Sequence, residues 1–503
     1  MPVPRPSQKA VVSIVFVVAM FMTVLDSTIV NVALPSIASD YHEAPSSVAG
    51  VNVGFLVSLA VFISAAGWLG DRFGVKRVFL FALAVFTAAS ALCGLAQDLP
   101  QLVGFRVLQG IGGGLLTPVG MAMMMRTYPP AERMRASRVL IIPTALAPSL
   151  GPIVGGLMVD HASWHWVFYM NVPVGVAALV FGALYLDERR EPDTGPFDLP
   201  GFACAGLGLA ATLYALTEGA QRGWTSPVIL GTATGGVLLL VLLVVVESRN
   251  DQPMLDLRLL RDRLFLTSTM VTVTASAGFL GTVFVLPIMI QRARGLEATD
   301  SGLTTFPTAV GIVLATQLVA RYYPKVGPRR LTAAGLAGVS LMIALLGFVG
   351  PDTSLWWVRA DLFVTGLFLA NVFMPSQTAA FATVPMPRMG NATTLFNVQR
   401  QLGAAVGVAV LGSVLAGVGI FTGTGAAARP NYTAYHWAFA AAAAMAAVGV
   451  VFALFTRDSD AAATMAPPAD TGPDPASDPA PGTASGHDDR NAPGVDHRPR
   501  STA

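Results

Sequence analysis

From residue 11 onward the chain alternates between apolar runs of about 20 residues and short polar stretches, the spacing a helix needs to cross a bilayer. Fourteen such runs are predicted as helices, near 11–33, 50–69, 79–97, 102–125, 137–158, 167–186, 200–217, 228–247, 265–290, 302–321, 331–349, 358–381, 395–417 and 433–455. The first run follows Arg5 and Lys9 as a signal peptide would. It is too long for that, contains Asp26, and meets no clean small-residue cleavage site, so it reads as a retained helix. From Asp458 the pattern changes to Ala, Pro, Asp, Gly and Ser with almost no large apolar residue, which predicts a disordered tail over 457–503.

Composition sharpens the class. The 503 residues are 53% hydrophobic and only 12% charged, where soluble domains carry about 25%. Too few polar side chains exist to coat a soluble globule, and too many apolar ones for a disordered chain. An all-α integral membrane protein remains. A net charge of +2 does not suggest nucleic acid, and Cys93 and Cys204 both fall in apolar runs, away from any disulfide or metal pattern. With the amino terminus placed in the cytoplasm, 20 of the 31 Lys and Arg lie in inward loops and the N-terminal arm, and five in outward loops. That asymmetry orients the chain with both termini cytoplasmic in the cell's inner membrane.

An internal repeat organises the spans. At a constant offset of 256, residues 110–156 align with 366–412, matching Gly110 with Gly366, Pro129 with Pro385, Gly151 with Gly407 and Gly156 with Gly412. Nearby, Gly74-Val-Lys-Arg77 recurs as Gly327-Pro-Arg-Arg330. The expected organisation is an N-terminal arm (1–10), a six-helix bundle (11–186), a linker with two inserted helices (187–264), a second six-helix bundle (265–456) and the tail (457–503). A ligand site is expected between the bundles near the midplane.

Charges inside spans are costly and point to function. Asp26, in Leu25-Asp-Ser-Thr-Ile-Val-Asn-Val-Ala-Leu-Pro35, lies roughly 11 Å below the outer end of its helix at 1.5 Å per residue. Arg106, in Gly104-Phe-Arg-Val-Leu-Gln-Gly110, falls at a similar depth, so the two can pair. The pair suits a carboxylate that loads and releases a proton, or an ion pair that fixes helix packing. Gln109 and Asn31 extend this polar set or bond helix to helix. Asp361 falls too near the end of its span to join them.

The loop Gly67-Trp-Leu-Gly-Asp71-Arg72-Phe-Gly74-Val-Lys76-Arg77 sets one carboxylate and three cations between glycines, which suggests a turn that latches onto another helix end. In Ala147-Pro-Ser-Leu-Gly151-Pro152-Ile-Val-Gly155-Gly156 the small residues at every fourth position form a ridge for close helix approach, and Pro152 bends the helix.

Together these segments resemble the signatures of the major facilitator superfamily, and within it the fourteen-span drug:proton antiporters. The resemblance covers about residues 10–456. It implies two six-helix bundles plus two inserted helices, proton coupling at Asp26 and Arg106, and cytoplasmic gating by Gly67, Asp71, Arg72, Gly74, Lys76 and Arg77. It also implies an exporter-type helix at Gly151, Pro152, Gly155 and Gly156. His165 departs from the arginine usual between two tryptophans. The implied activity is proton-driven export of an amphipathic antibiotic or other toxic compound by alternating access. Such a pump would work as a monomer, without cofactor or metal.

Substrate lining, chosen by span and position, is expected from Asp26, Asn31, Asn52, Phe55, Gln109, Phe279, Phe284, Asn371, Gln377 and Arg400, with Asp26 selecting the charge. A nutrient symporter is the alternative within transport. ATP-driven export has no Gly-Lys pair to build a phosphate loop, since the three lysines follow Gln8, Val75 and Pro324. A membrane-embedded enzyme or receptor has no catalytic motif in its favour.

Overall fold

The computed structural model describes residues 6–43, 45–48, 50–188, 196–250, 253–422 and 429–465. The first bundle consists of α1 (Gln8–Asp40), α2 (Gly50–Phe73), α3 (Val75–Gly94), α4 (Leu99–Thr127), α5 (Arg133–His161) and α6 (Asn171–Tyr185). Two further helices follow, α7 (Leu199–Arg222) and α8 (Pro227–Arg249). The second bundle holds α9 (Arg263–Ile288), α10 (Ala298–Leu346), α11 (Leu355–Ala380), α12 (Met389–Val418) and α13 (Tyr432–Phe455).

Among the described residues, twelve helices are long and apolar enough to cross a membrane, against fourteen spans expected. Both remaining runs are present as helix. The runs near 302–321 and 331–349 are arms of the 49-residue α10, separated where Gly327 turns to φ 81° and ψ 161°. Glycine alone adopts that conformation cheaply, and Pro328 suits the first turn of the second arm. The run near 137–158 forms as α5, in which Leu146–Val159 is the apolar stretch among the described residues.

The repeat appears as matched contacts. α1 packs on α5 as α9 packs on α12, and α2 packs on α4 as α10 packs on α11. A Cβ on Gly110 would overlap the Ser58 hydroxyl and the Phe55 carbonyl of α2; one on Gly366 would overlap the Thr308 carbonyl of α10. Likewise Gly151 touches Thr28 of α1, and Gly407 touches the backbone of Ala277 in α9. Close backbone approach of this kind is how helices gain dispersion energy where lipid offers no hydrophobic drive.

The third helix of each bundle is also capped alike. Gly74 turns at φ 97° before α3, and Glu188, three residues past α6, accepts from the Lys76 backbone N–H at 3.2 Å. Asp458, three residues past α13, accepts from the Arg329 N–H at 2.9 Å just after Gly327. Each carboxylate satisfies a free donor and lies at the positive end of a helix dipole. This capping corrects the expected start of the disordered tail. The chain past 457 runs on as helical turns to Met465, with Ala461 buried and the Thr464 hydroxyl 2.8 Å from that of Tyr323. Residues 466–503 lie outside the described residues.

α7 packs against α2 of one bundle and α12 of the other, with α8 on its far side. Only 17% of the apolar window of α8 is buried, and Leu238, Val241 and Val244 are exposed, as suits a helix facing lipid.

The glycine contacts set a stability test. Gly110→Leu and Gly366→Leu should each lower the unfolding temperature of the solubilised protein, because overpacking costs about 1–3 kcal/mol. Gly231→Leu, at a glycine with nothing within 4 Å, should leave it unchanged.

Candidate functional site

Asp26 and Arg106 meet with neither exposed: Arg106 Nη1 donates to Asp26 Oδ2 at 2.5 Å, and both residues are 0% accessible. The other oxygen, Oδ1, accepts from Gln109 Nε2 at 2.9 Å and from Asn171 Nδ2 at 3.0 Å. Arg106 also donates to Gln109 Oε1 and to the Val51 carbonyl, and its guanidinium lies 4.2 Å from the Phe55 ring centroid. Its Nη2 has no partner. Four helices, α1, α2, α4 and α6, thus converge on one ion pair. Buried charges persist only when paired and hydrogen-bonded, which this carboxylate is on both oxygens.

At the end of the bundles that carries the loop 67–77, the Asp71 carboxylate pairs with Arg126 at 2.6 Å. It also lies against Gly390 in the first turn of α12, where a Cβ would come 2.7 Å from Asp71 Oδ2. Unpaired N–H groups and the helix dipole favour an anion there. Gly67 comes equally close, its absent Cβ 2.8 Å from the Gly390 carbonyl. The second half of the loop turns back to its own bundle. Lys76 Nζ donates to the carbonyls of Ala183 and Leu186, and Arg77 pairs with Glu188 at 3.6 Å; Arg72 is exposed. Further ties join the bundles at this end. Arg133 donates to the Phe381 carbonyl, Ser137 meets Thr378 at 2.9 Å, and Arg138 reaches Gln317 at 3.1 Å.

A cavity of about 190 Å³ lies between the bundles. Phe16 and Met20 of α1 and Thr117 and Met121 of α4 line one side, and Phe279, Phe373, Gln377, Phe396, Asn397 and Arg400 line the other.

Of the residues expected to line a substrate, Phe279, Gln377 and Arg400 are in this wall. The others lie elsewhere. Asp26 and Gln109 are enclosed with Arg106, and Phe55 stacks on its guanidinium. Asn52 Nδ2 donates to Asn31 Oδ1 at 2.5 Å on an exposed stretch between α1 and α2. Asn371 bonds back to the Leu367 carbonyl, and Phe284 packs in the second bundle's core. Asp26 therefore does not face the cavity as a charge-selecting group: its lone pairs are spent inside the first bundle. In the exporter-type segment, Gly151 and Gly155 seat α5 on α1, with Gly155 2.8 Å from Ile29, whereas Gly156 contacts nothing within 4 Å. The side chain of Pro152 lies outside the described residues.

Sequence reasoning missed Asn171, a neutral residue at the start of a span, and Arg126, which reads as one more inward cation. It also set aside Asp361, which in the second bundle is 6% accessible with Oδ2 unpartnered.

Residues 16–408 match the Major Facilitator Superfamily. Proteins named as multidrug resistance protein MdtD are relatives over most of their length. That of Salmonella heidelberg (strain SL476) is 31% identical over 449 residues, covering 87% of this chain and 93% of its own. That of Pectobacterium atrosepticum is 32% identical over 416 residues, covering 82% and 88%. The crystal structure of the human organic anion transporter MFSD10 superposes with a TM-score of 0.62 over 89% of this chain and all of its own, at 15% identity, a likeness of fold.

The chain belongs to the Major Facilitator Superfamily.

It is therefore a multi-pass membrane transporter of small molecules and not an enzyme. Its two bundles are tied at the end that carries the loop 67–77, with the cavity between them. His165 stands between two tryptophans at the opposite end, stacked on Trp164 at 3.7 Å and hydrogen-bonded to Ser163 Oγ at 2.6 Å. Burial lowers its pKa from the usual 6.5, partly offset by Asp40.

Two outcomes follow from this geometry. Asp26→Leu should cost about 3–5 kcal/mol by stranding a buried guanidinium, whereas Asp26→Leu with Arg106→Leu should recover most of that. Denaturant unfolding in detergent measures both, and a double variant as unstable as the single one contradicts the account. For His165, the unfolded chain binds the proton more readily than the folded one. Stability should therefore fall as pH drops through 6.5 toward the lower folded value, and His165→Asn should remove that slope.

Proposed function

We propose that the protein is a proton-coupled antiporter that exports an amphipathic small molecule, an antibiotic or other toxic compound, by alternating access. One observation carries the reading: a carboxylate with no solvent access, held by Arg106, Gln109 and Asn171, sits in the same bundle as half the cavity wall. Protonating Asp26 cancels its charge and releases Arg106, so proton occupancy changes which helix arrangement is stable. A potential of 100 mV supplies about 2.3 kcal/mol per charge moved.

Three further points favour export over uptake. The relatives are named for multidrug resistance, Gly151 and Gly155 pack α5 directly on the helix that bears Asp26, and no feature of the cavity singles out a nutrient. The excess of Lys and Arg in loops such as 67–77 assigns that end, and both termini, to the cytoplasm of the inner membrane. In that orientation the bundles are tied together on the cytoplasmic side through Asp71, Gly390 and Arg133. The pump works as a monomer on the gradient alone, without a cofactor.

Asp26→Asn, expressed and folded at the normal level, should lose gradient-driven efflux in an efflux-deficient host and lose the resistance that the unaltered protein confers. A protonophore should reproduce the loss in the unaltered protein. Full efflux by the Asn variant is the result that removes Asp26 from coupling.

A further inference from the structure

The cavity wall holds one charged side chain, Arg400, and no carboxylate. The one hydrogen bond of Arg400 is a long one, 3.5 Å from Nη2 to Asn397 Oδ1, and among the described residues no acid lies within ion-pair distance of it. Gln377 Nε2 of the same wall turns to the Met121 sulfur at 3.7 Å, a weak acceptor, while Asn397 Nδ2, 3.6 Å from that sulfur, also donates to the Thr393 carbonyl at 2.8 Å. The hydroxyls of Thr272, Thr282 and Thr365, also in the wall, donate to carbonyls of their own helices and keep lone pairs for a neutral donor, but none carries a charge that would balance Arg400. Around Arg400 the wall therefore presents a positive charge that no carboxylate balances. Asp26, the acid that would draw a cation, is sealed away beside Arg106, and Asp361 is not part of the lining.

We infer that this cavity takes an amphipathic anion: a carboxylate or ionised phenol on an aromatic body, its charge on Arg400 and its rings among Phe279, Phe373 and Phe396. A guanidinium without a carboxylate in an apolar cavity is left with its desolvation uncompensated. An incoming carboxylate restores the pairing, with two parallel N–H···O bonds available to it. A cation in the same place meets like charge at low dielectric. The inference rests on the transport reading only in taking this cavity as the ligand's seat.

The experiment uses the full chain in detergent, with three fluorescent probes that share a ring system: 1-naphthoate, 1-naphthylmethanol and 1-naphthylmethylammonium. Binding at neutral pH is measured for the unaltered protein, Arg400→Gln and Arg400→Lys. The unaltered protein should bind naphthoate at least tenfold more tightly than the ammonium, with the alcohol between. Arg400→Gln should erase that order and Arg400→Lys keep most of it, which separates lost charge from lost folding. Absent naphthoate binding, equal binding of the two ions, tighter binding of the ammonium, or a naphthoate preference that survives Arg400→Gln overturns the inference. Binding needs no gradient, so the export reading is judged apart. Proteoliposomes that fail to move naphthoate on an imposed pH step, with its binding order intact, would count against proton-driven export and leave the anion seat standing.

Discussion

A carboxylate and a guanidinium that water does not reach hold the first bundle in its observed arrangement. Neither charge is stable there alone, and each constrains a different helix: Asp26 α1, Arg106 α4, with α2 supplying Phe55 and the Val51 carbonyl, and α6 supplying Asn171. Four helices must keep their relative rotation for the pair to survive. That requirement explains why the surrounding packing is so close. Gly110 lies one turn from Arg106, and a side chain on it would push α2 away from the guanidinium. The ion pair and the glycines are thus one device, in which polar satisfaction fixes the register and small residues allow the approach.

The same economy governs the contact between bundles. Asp71 is anchored by Arg126 within its own bundle and presents its carboxylate to the first turn of α12 in the other. Gly67 and Gly390 let the two helices come near enough for that to matter. A contact made of one charge and a helix end is strong when aligned and weak when shifted by a few ångströms, since the dipole's effect fades within a turn. Apolar packing backs it: Phe265, Phe381, Met389 and Phe396 of the second bundle share one buried cluster with Phe16, Phe79 and Phe86 of the first.

How much of this was legible in the sequence depended on the kind of signal. Charges inside apolar runs are loud, so Asp26 and Arg106 stood out, and equal depth in their helices was enough to pair them. The loop 67–77 was legible for the same reason, as a carboxylate among cations is not explained by topology. Asn171 was silent because a neutral amide at a span's edge resembles any loop residue. Gly390 was silent too, since its importance lies in what approaches it from 320 positions earlier in the chain, at Asp71 and Gly67. The lining guesses divided on a similar principle. Span and position bring Phe279, Gln377 and Arg400 to the cavity, but they carry no information on rotation about the helix axis, which turns Asn371 and Phe284 elsewhere. The span pattern and the helices differ in one place, where two predicted runs share α10 and a single positive-φ glycine divides it.

On the proton-coupled reading proposed for this transporter, the separation of Asp26 from the cavity changes where coupling has to occur. A ligand among Phe279, Phe396 and Arg400 touches no atom of the ion pair, so ligand and proton cannot compete for one group. They can still act on one helix. α1 carries Phe16 and Met20 in the cavity wall and Asp26 less than two turns further on, and α4 carries Thr117 and Met121 in the wall and Arg106 three turns away. A helix transmits rotation and translation over that distance because its backbone hydrogen bonds resist local bending, although Pro118 softens α4 between Met121 and Arg106. Neutralising Asp26 removes the force that fixes α1 against α4, and filling the cavity favours one spacing of the same two helices. Both events then bias a single equilibrium between arrangements, which is the physical requirement for linkage between sites that never meet.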